Sequence, residues 1–449
     1  MSPPLNLHAK FLKLGKFSLS CFTTTVIKML INLAKNAILT RLLGPEARGA
    51  FGLLNATPSL VVSFGNLGFG LGTVFLITKN KADLGVITGN ALLYSILHGI
   101  LLACFGALFI YYEDSFVGGH NHLLTVILPF MVAGIPVLLA QNMGFDLLLG
   151  TQDIHYMNMI NIIATLLPLV GILAFWFITG DLLLSASWAW LGSMAVVAIT
   201  AFIHVIRRSA SLHTSIPLMK EAFSFGLRGN ISQFANAIVR RVDILFLSHY
   251  HGMQEVGFYA AAVSISELLL TLPSSIAEPF MPIVMGMEKD DGAYFSSMLI
   301  KYVLAVMSVI CLLLALFCKP ILLLMFGKEF IPSIAPLLWL LPGMLPLALY
   351  QFLKADMYRL NHPGLVSWVS VIAMAANILL NFLLIPRYGT SGAAIASSIS
   401  YTISTGLLFI CYCRLTSIPA KNLLILNKND IALIKNTMFK ILQRGAKKD

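Results

Sequence analysis

Gly44-Pro45-Glu46-Ala47-Arg48-Gly49-Ala50-Phe51 and Gly252-Met253-Gln254-Glu255-Val256-Gly257-Phe258-Tyr259 lie 208 residues apart and share one pattern: glycine, four residues, glycine, one residue, aromatic. Glycines at that spacing suit a tight turn that lets two helices approach closely. One such match is weak by itself, but the residues ahead of it repeat at the same offset. Thr24, Lys28, Asn32 and Lys35 fall at i, i+4, i+8 and i+11, which is one face of a helix. Ser232, Asn236, Arg240 and Asp243 keep that spacing, and subtracting 208 places each on its counterpart. The chain therefore reads as two copies of one unit, each opening with a helix that carries a polar stripe.

Composition says what those units are made of. The chain has 449 residues, of which 58% are hydrophobic and only 11% charged. A soluble domain of this size needs a charged surface that this sequence does not supply. Apolar stretches of about 20 residues, the length that crosses a hydrocarbon core of roughly 30 Å, recur along almost the whole chain. Twelve are counted, near 17–40, 51–77, 85–112, 123–149, 156–179, 182–206, 222–247, 257–286, 295–318, 332–356, 364–386 and 391–414. The fold class expected is an all-α integral membrane protein, with twelve transmembrane helices in two pseudo-repeated six-helix bundles around a central cavity. Parallel repeats with a site at their interface are a known plan for membrane transport.

The first apolar run follows Lys10, Lys13 and Lys16, but it is too long for a signal sequence, carries Lys28 and Lys35, and ends at Leu-Gly-Pro without a small-residue cleavage pattern. It reads as an uncleaved first span. The formal net charge of +11 raises the question of nucleic acid, and its location answers it. With an even number of spans, Lys10, Lys13, Lys16, Lys79, Lys81, Arg207, Arg208, Lys220, Lys289, Arg359 and the basic tail from Lys421 share one side. Arg41, Arg48, Lys319, Lys328 and Arg387 fall on the other. That is the positive-inside bias of an inner (cytoplasmic) membrane protein with both termini in the cytoplasm, and no nucleic-acid partner is expected. Six cysteines, Cys21, Cys104, Cys311, Cys318, Cys411 and Cys413, lie in or at the ends of spans and form no disulfide or zinc pattern.

The longest polar interruption, Arg207–Glu221, divides the spans six and six. The expected organisation is an N-terminal lobe over 1–206, a cytoplasmic linker over 207–221, a C-terminal lobe over 222–415 and a basic tail over 416–449. In the tail, Ile431, Ile434, Met438, Ile441 and Leu442 keep helical spacing among Lys435, Lys440 and Arg444. This is the pattern of an amphipathic helix on membrane lipids; the competing reading is a frayed tail with chance periodicity.

Charge inside a bilayer is costly unless it faces water or a partner. The mid-span charges are Lys28, Lys35, Asp146, Arg228, Arg240, Arg241, Asp243, Glu267, Glu278, Lys301 and Lys354, mostly cationic. Lys28 and Lys35 have no carboxylate at helical spacing in their own span, so a wet lumen or an anionic substrate is expected beside them. Lys301 and Lys354 lie near span ends and read as snorkelling side chains. Asp243 stands three residues from Arg240, so either an ion pair or substrate binding accounts for it. Arg240 and Arg241 point about 100° apart, so both cannot pair with Asp243. Arg228 either greets a phosphate at the cytoplasmic mouth of its span or anchors the helix end. Guanidinium and ammonium groups, with Asn32 and Asn236 beside them, suit a diphosphate or acidic sugar. Asp146, Glu267 and Glu278 are candidates for proton or sodium coupling. Glu278 precedes Pro279, with Pro273 and Pro282 nearby, which predicts a kinked or broken eighth span.

Gly65, Gly68, Gly70 and Gly72 have no strand before them and no α/β unit around them, so the run reads as close packing or a hinge, not a nucleotide site. His120/His122 and His249/His251 lack the further ligands a metal site needs. No metal or cofactor is expected, and no catalytic motif is present.

Three segments resemble a known family: Arg41-Leu-Leu-Gly-Pro-Glu-Ala-Arg-Gly-Ala-Phe-Gly, Arg241-Val-Asp-Ile-Leu-Phe-Leu with Gly252-x4-Gly257-Phe-Tyr-Ala-Ala, and Asn377-Ile-Leu-Leu-Asn381-Phe-Leu-Leu-Ile-Pro386-Arg-Tyr-Gly389-Thr-Ser-Gly392. They look like the polysaccharide-transport branch of the multidrug/oligosaccharidyl-lipid/polysaccharide exporter superfamily. The resemblance implies two six-helix bundles working by alternating access, and export of undecaprenyl-diphosphate-linked repeat units for O-antigen or capsule. It also implies polyprenyl-diphosphate-linked glycan and glycan-assembly proteins as partners. The alternatives weighed are a cation-coupled multidrug exporter of the same superfamily and a membrane glycan polymerase or ligase. The short outer loops near 112–122 and 319–331 argue against the last.

Overall fold

The computed structural model describes residues 5–79, 83–114, 122–209, 211–285 and 289–424, and the description of side chains begins at Met29. Every regular element in these residues is helical. α1 (Leu5–Gly65), α2 (Phe69–Thr78), α3 (Leu84–Asp114), α4 (His122–Gly150), α5 (Ile154–Thr179) and α6 (Leu182–Ile206) build the first half. α7 (Ile216–His251), α8 (Met253–Met285), α9 (Lys289–Met325), α10 (Ile334–Arg359) and α11 (Pro363–Thr416) build the second.

Among the described residues, eight helices are long and apolar enough to cross a membrane, nine counting the bent pair Met29–Gly65 and Phe69–Thr78 as one span. Twelve spans emerge because α1 breaks at Gly44 (φ 70°, ψ 174°), α11 breaks at Gly389 (φ 53°, ψ −132°), and α7 crosses while carrying the polar stripe. Large apolar side chains face outward along these spans, among them Phe177, Ile178, Leu324 and Trp368. That is the arrangement expected where the solvent is hydrocarbon and the backbone must satisfy itself within helices.

The repeat is visible in the backbone. Gly252 (φ 81°, ψ −178°) separates α7 from α8 as Gly44 separates the two arms of α1. Both conformations belong almost solely to glycine. The two turns then meet. A Cβ on Gly49 would stand 1.8 Å from the carbonyl oxygen of Met253, and one on Gly257 would stand 1.8 Å from that of Pro45. Gly49 and Gly257, and likewise Pro45 and Met253, are equivalent under the 208-residue offset, so the contact is reciprocal about a pseudo-twofold axis. Arg41 closes the same end of the bundle: its guanidinium donates to the carbonyls of Leu323 (3.2 Å), Leu324 and Met325 (2.9 Å) at the C-terminus of α9. These are carbonyls that no further turn of helix satisfies, and the helix dipole favours a cation there.

The second span of the first half bends by 60° between Gly65 and Phe69. Beyond the bend, Gly68 and Gly226 pack reciprocally, and a Cβ on Gly72 would stand 2.1 Å from the Ala222 carbonyl oxygen. The glycine run is thus both a hinge and a close approach of α2 to α7.

Two boundaries differ from the sequence reading. α7 starts at Ile216, so the connection is shorter than 207–221. Pro217 lies in the first turn of the helix, where its missing N–H costs nothing, and does not mark a break. The connection is held to α3, where the Asn90 side chain donates to Ser215 O (3.1 Å) and accepts from Ser215 N (2.8 Å). α8 runs from Met253 to Met285 as one helix, without the break that its prolines predict. The tail pattern at 431–444 lies outside the described residues.

At the α4–α5 turn, Asp153 accepts from His204 (2.7 Å) and pairs with Arg208 (2.7 Å) at the end of α6. The His204 hydrogen bond, with Arg208 adding to it, holds the Asp153 carboxyl below its ordinary range. A depressed carboxylate stabilises the fold above that range, and the contribution is lost as pH falls through its lowered value. Water screens the half-exposed Arg208, so Asp153→Asn is expected to cost no more than about 0.5 kcal/mol near neutrality. A thermal-melt series in detergent should show the gap to the unmodified chain closing in acid.

Candidate functional site

Two cavities open on either side of α7. The larger, about 430 Å³, lies between the halves. The first half contributes Asn32, Lys35 and Arg48 from α1 and Trp190 from α6; the second contributes Arg241 from α7 and Glu267 from α8. The break at Gly44 makes this possible, because it folds the arm carrying Arg48 back alongside the arm carrying Lys35.

Arg48 is the most buried of these cations, 7% exposed. Its Nε donates to Thr40 Oγ1 (3.0 Å) and its Nη2 to Ser264 Oγ (3.1 Å), which fixes the guanidinium across the two halves. A guanidinium has five N–H donors, so this anchoring leaves others for a ligand. Lys35 makes no ion pair among the described residues. Arg241 lies 3.5 Å from Glu267. Three cations therefore face one carboxylate on this lining. Trp190 is nine-tenths buried, and its indole N–H has no hydrogen-bond partner among the described residues. A fixed arginine and a lysine without an ion pair among the described residues are donors of the kind an oxyanion takes.

The smaller cavity, about 350 Å³, lies within the second half and is lined by Asn236, Arg240, Tyr350, Lys354, Tyr358 and Tyr401 among others. Its floor is fixed by a polar chain: Asn236 donates to Ser232 O (2.7 Å), Ser232 meets Ser370 (3.1 Å), and Ser370 meets Tyr350 (2.9 Å).

The structure thus brings together Asn32, Lys35, Arg241 and Glu267, and places Asn236 and Arg240 in a different cavity. No ion pair joins Arg240 to Asp243. The Asp243 carboxylate is buried and accepts from the Ile244 backbone (2.8 Å), the Tyr259 hydroxyl and Ser397 Oγ (3.2 Å). Asp146 lies on α4 against Gly70 and lines neither cavity. The side chains of Lys28, Arg228 and Glu278 lie outside the described residues.

The sequence reading placed Arg48 in an outer loop. Its position three residues past Pro45, one turn into a new helix, was the available signal. Lys354 lines the second cavity, with its ammonium 5.8 Å from the centre of the Tyr358 ring, and does not snorkel. Tyr350, Lys354 and Tyr358 at i, i+4 and i+8 form a stripe that sequence alone could have shown. Lys301 is buried with an interaction partner, and does not snorkel either.

This is a multi-pass membrane protein with the two-bundle fold of the multidrug/oligosaccharidyl-lipid/polysaccharide superfamily. An inward-facing multidrug-resistance transporter of that superfamily superposes with a TM-score of 0.73 at 16% identity, over 89% of this chain and 98% of that one. The family model described as polysaccharide biosynthesis protein matches residues 14–285, and the chain belongs to that family. A Shigella flexneri protein provisionally named an O-antigen transporter is 24% identical over 71% of this chain and 79% of its own length. The probable low-salt glycan biosynthesis flippase of Haloferax volcanii is 21% identical over 42% of this chain; the match spans 41% of that protein.

Proposed function

We propose that this chain is a flippase for polyprenyl-diphosphate-linked oligosaccharides, taking undecaprenyl-diphosphate repeat units for O-antigen or capsule from the cytoplasmic to the outer leaflet of a bacterial inner membrane. The observation that carries the reading is the inter-half cavity with Lys35, Arg48 and Arg241 facing a single carboxylate. Buried positive charge at that excess is costly in a membrane and is offset when a diphosphate enters. Family membership and the names of the two relatives support the glycan class, and the basic loops support cytoplasmic termini. The halves rock so that the contact near Gly49 and Gly257 closes in one state and opens in the other, exposing the cavity alternately to each side.

The test is translocation of a fluorescent polyprenyl-diphosphate oligosaccharide in proteoliposomes. Lys35→Ala with Arg241→Ala is expected to slow it at least tenfold with thermal stability retained; a double variant as fast as the unmodified chain would remove the headgroup role. Coupling to H⁺ or Na⁺ falls to Glu267, the carboxylate beside Arg241 in the cavity. Glu267→Gln is expected to leave transport insensitive to an imposed ion gradient. A multidrug exporter would need an anionic cavity for cationic drugs. Drug susceptibility of a deletion strain is expected to match its parent.

A further inference from the structure

We infer that the second-half cavity is a separate subsite for an acidic sugar of the glycan, distinct from the diphosphate site between the halves. This rests on the flippase reading and specifies the cargo. Arg240 and Arg241 are neighbours in sequence, yet α7 sends one into each cavity. A single headgroup site would not need both. The two linings also differ in kind. The inter-half cavity is cationic and holds one carboxylate among its described lining residues. The second is walled by Tyr350, Tyr358 and Tyr401, with Arg240 and Lys354 as its charges and no carboxylate among its described lining residues.

Each feature answers to a part of an acidic sugar. Aromatic rings offer flat apolar faces to the C–H side of a pyranose. The side-chain amides of Gln233, Asn236 and Gln351 meet its hydroxyls. A guanidinium and an ammonium meet its carboxylate. The groups are available: Arg240 and the Tyr358 and Tyr401 hydroxyls make no hydrogen bond among the described residues, and Asn236 and Tyr350 are already positioned through Ser232 and Ser370. About 350 Å³ accommodates one or two sugar rings but not a polyprenyl chain.

The competing source of negative charge is a phosphate, and the experiment separates the two. The full-length chain in detergent is titrated calorimetrically with three probes. These are a tetrasaccharide alternating glucuronate with N-acetylglucosamine, its carboxyl-reduced counterpart, and inorganic pyrophosphate. Arg240→Gln with Lys354→Gln is expected to weaken the acidic tetrasaccharide at least tenfold and leave pyrophosphate unchanged. The carboxyl-reduced sugar is expected to bind the unmodified chain no better than the acidic one binds the double variant. Lys354→Gln alone, retaining Arg240, serves should the double variant elute as aggregate, and a threefold or greater weakening is expected. Loss of pyrophosphate binding in the double variant, or tetrasaccharide binding that is undetectable or indifferent to these changes, overturns the subsite. Pyrophosphate binding that ignores Lys35→Ala with Arg241→Ala instead strikes the flippase reading.

Discussion

Arg48→Gln is expected to abolish glycan export while leaving the protein at least as stable as before. Arg48 is the buried cation of the inter-half cavity, tied to Thr40 in one half and Ser264 in the other, with no ion-paired carboxylate among the described residues. Truncating one partner of a buried, hydrogen-bonded charge pair costs about 3 kcal/mol, on the order of 100-fold in affinity. On the proposed flippase reading the partner lost is the diphosphate, so the cost falls on the loaded state. In the empty state the sign reverses. A charge without a counter-charge is an expense to the fold, and exchanging it for a neutral amide that still reaches Thr40 or Ser264 relieves it. Surface glycan and the thermal midpoint, measured on the same variant, therefore move apart. Loss of both together would assign Arg48 to holding the fold, and wild-type glycan would remove it from transport.

The expectation for Arg48 was not legible in the sequence, and the reason is instructive. Hydropathy windows place a polar hexapeptide between two spans in a loop, and Gly44-Pro45-Glu46-Ala47-Arg48-Gly49 looks like one. The backbone spends only Gly44 on the turn, so Arg48 is already inside the next helix. What the offset of 208 did make legible was the architecture: twin turns at Gly44 and Gly252, and twin stripes on the helices before them. Helical spacing names the residues that share a face, but not the neighbour that face meets. Lys35 and Asn32 meet α7 and α8 across the halves, whereas Asn236 and Arg240 look into their own half because α10 and α11 stand there. Asp243 illustrates the same limit. Arg240 was its obvious partner at i−3, yet Tyr259 and Ser397, 16 and 154 residues away, take the carboxylate instead.

Gly49→Ala and Gly257→Ala are expected to stop transport by a different route, through the conformation and not the ligand. Both glycines lie inside helices at ordinary backbone angles, where alanine stabilises by up to about 1 kcal/mol. Local structure thus gains. The added methyl, however, would sit 1.8 Å from a carbonyl oxygen of the opposite half. Backbone cannot rotate away as a side chain can, so the halves must part by more than an ångström at this end. The arrangement described here is then forbidden, and the opposite-facing one, in which this contact is open, becomes the resting state. In a background stripped of native cysteines, Asn36→Cys in the inter-half cavity reports the change. Its reaction with a membrane-impermeant thiol reagent added on the Gly44 side should rise at least tenfold in either glycine variant. Arg41→Ala should act in the same direction and more weakly, since it frees α9 carbonyls that water can satisfy and creates no clash. Unchanged labelling in both glycine variants would mean that the halves do not separate at this contact.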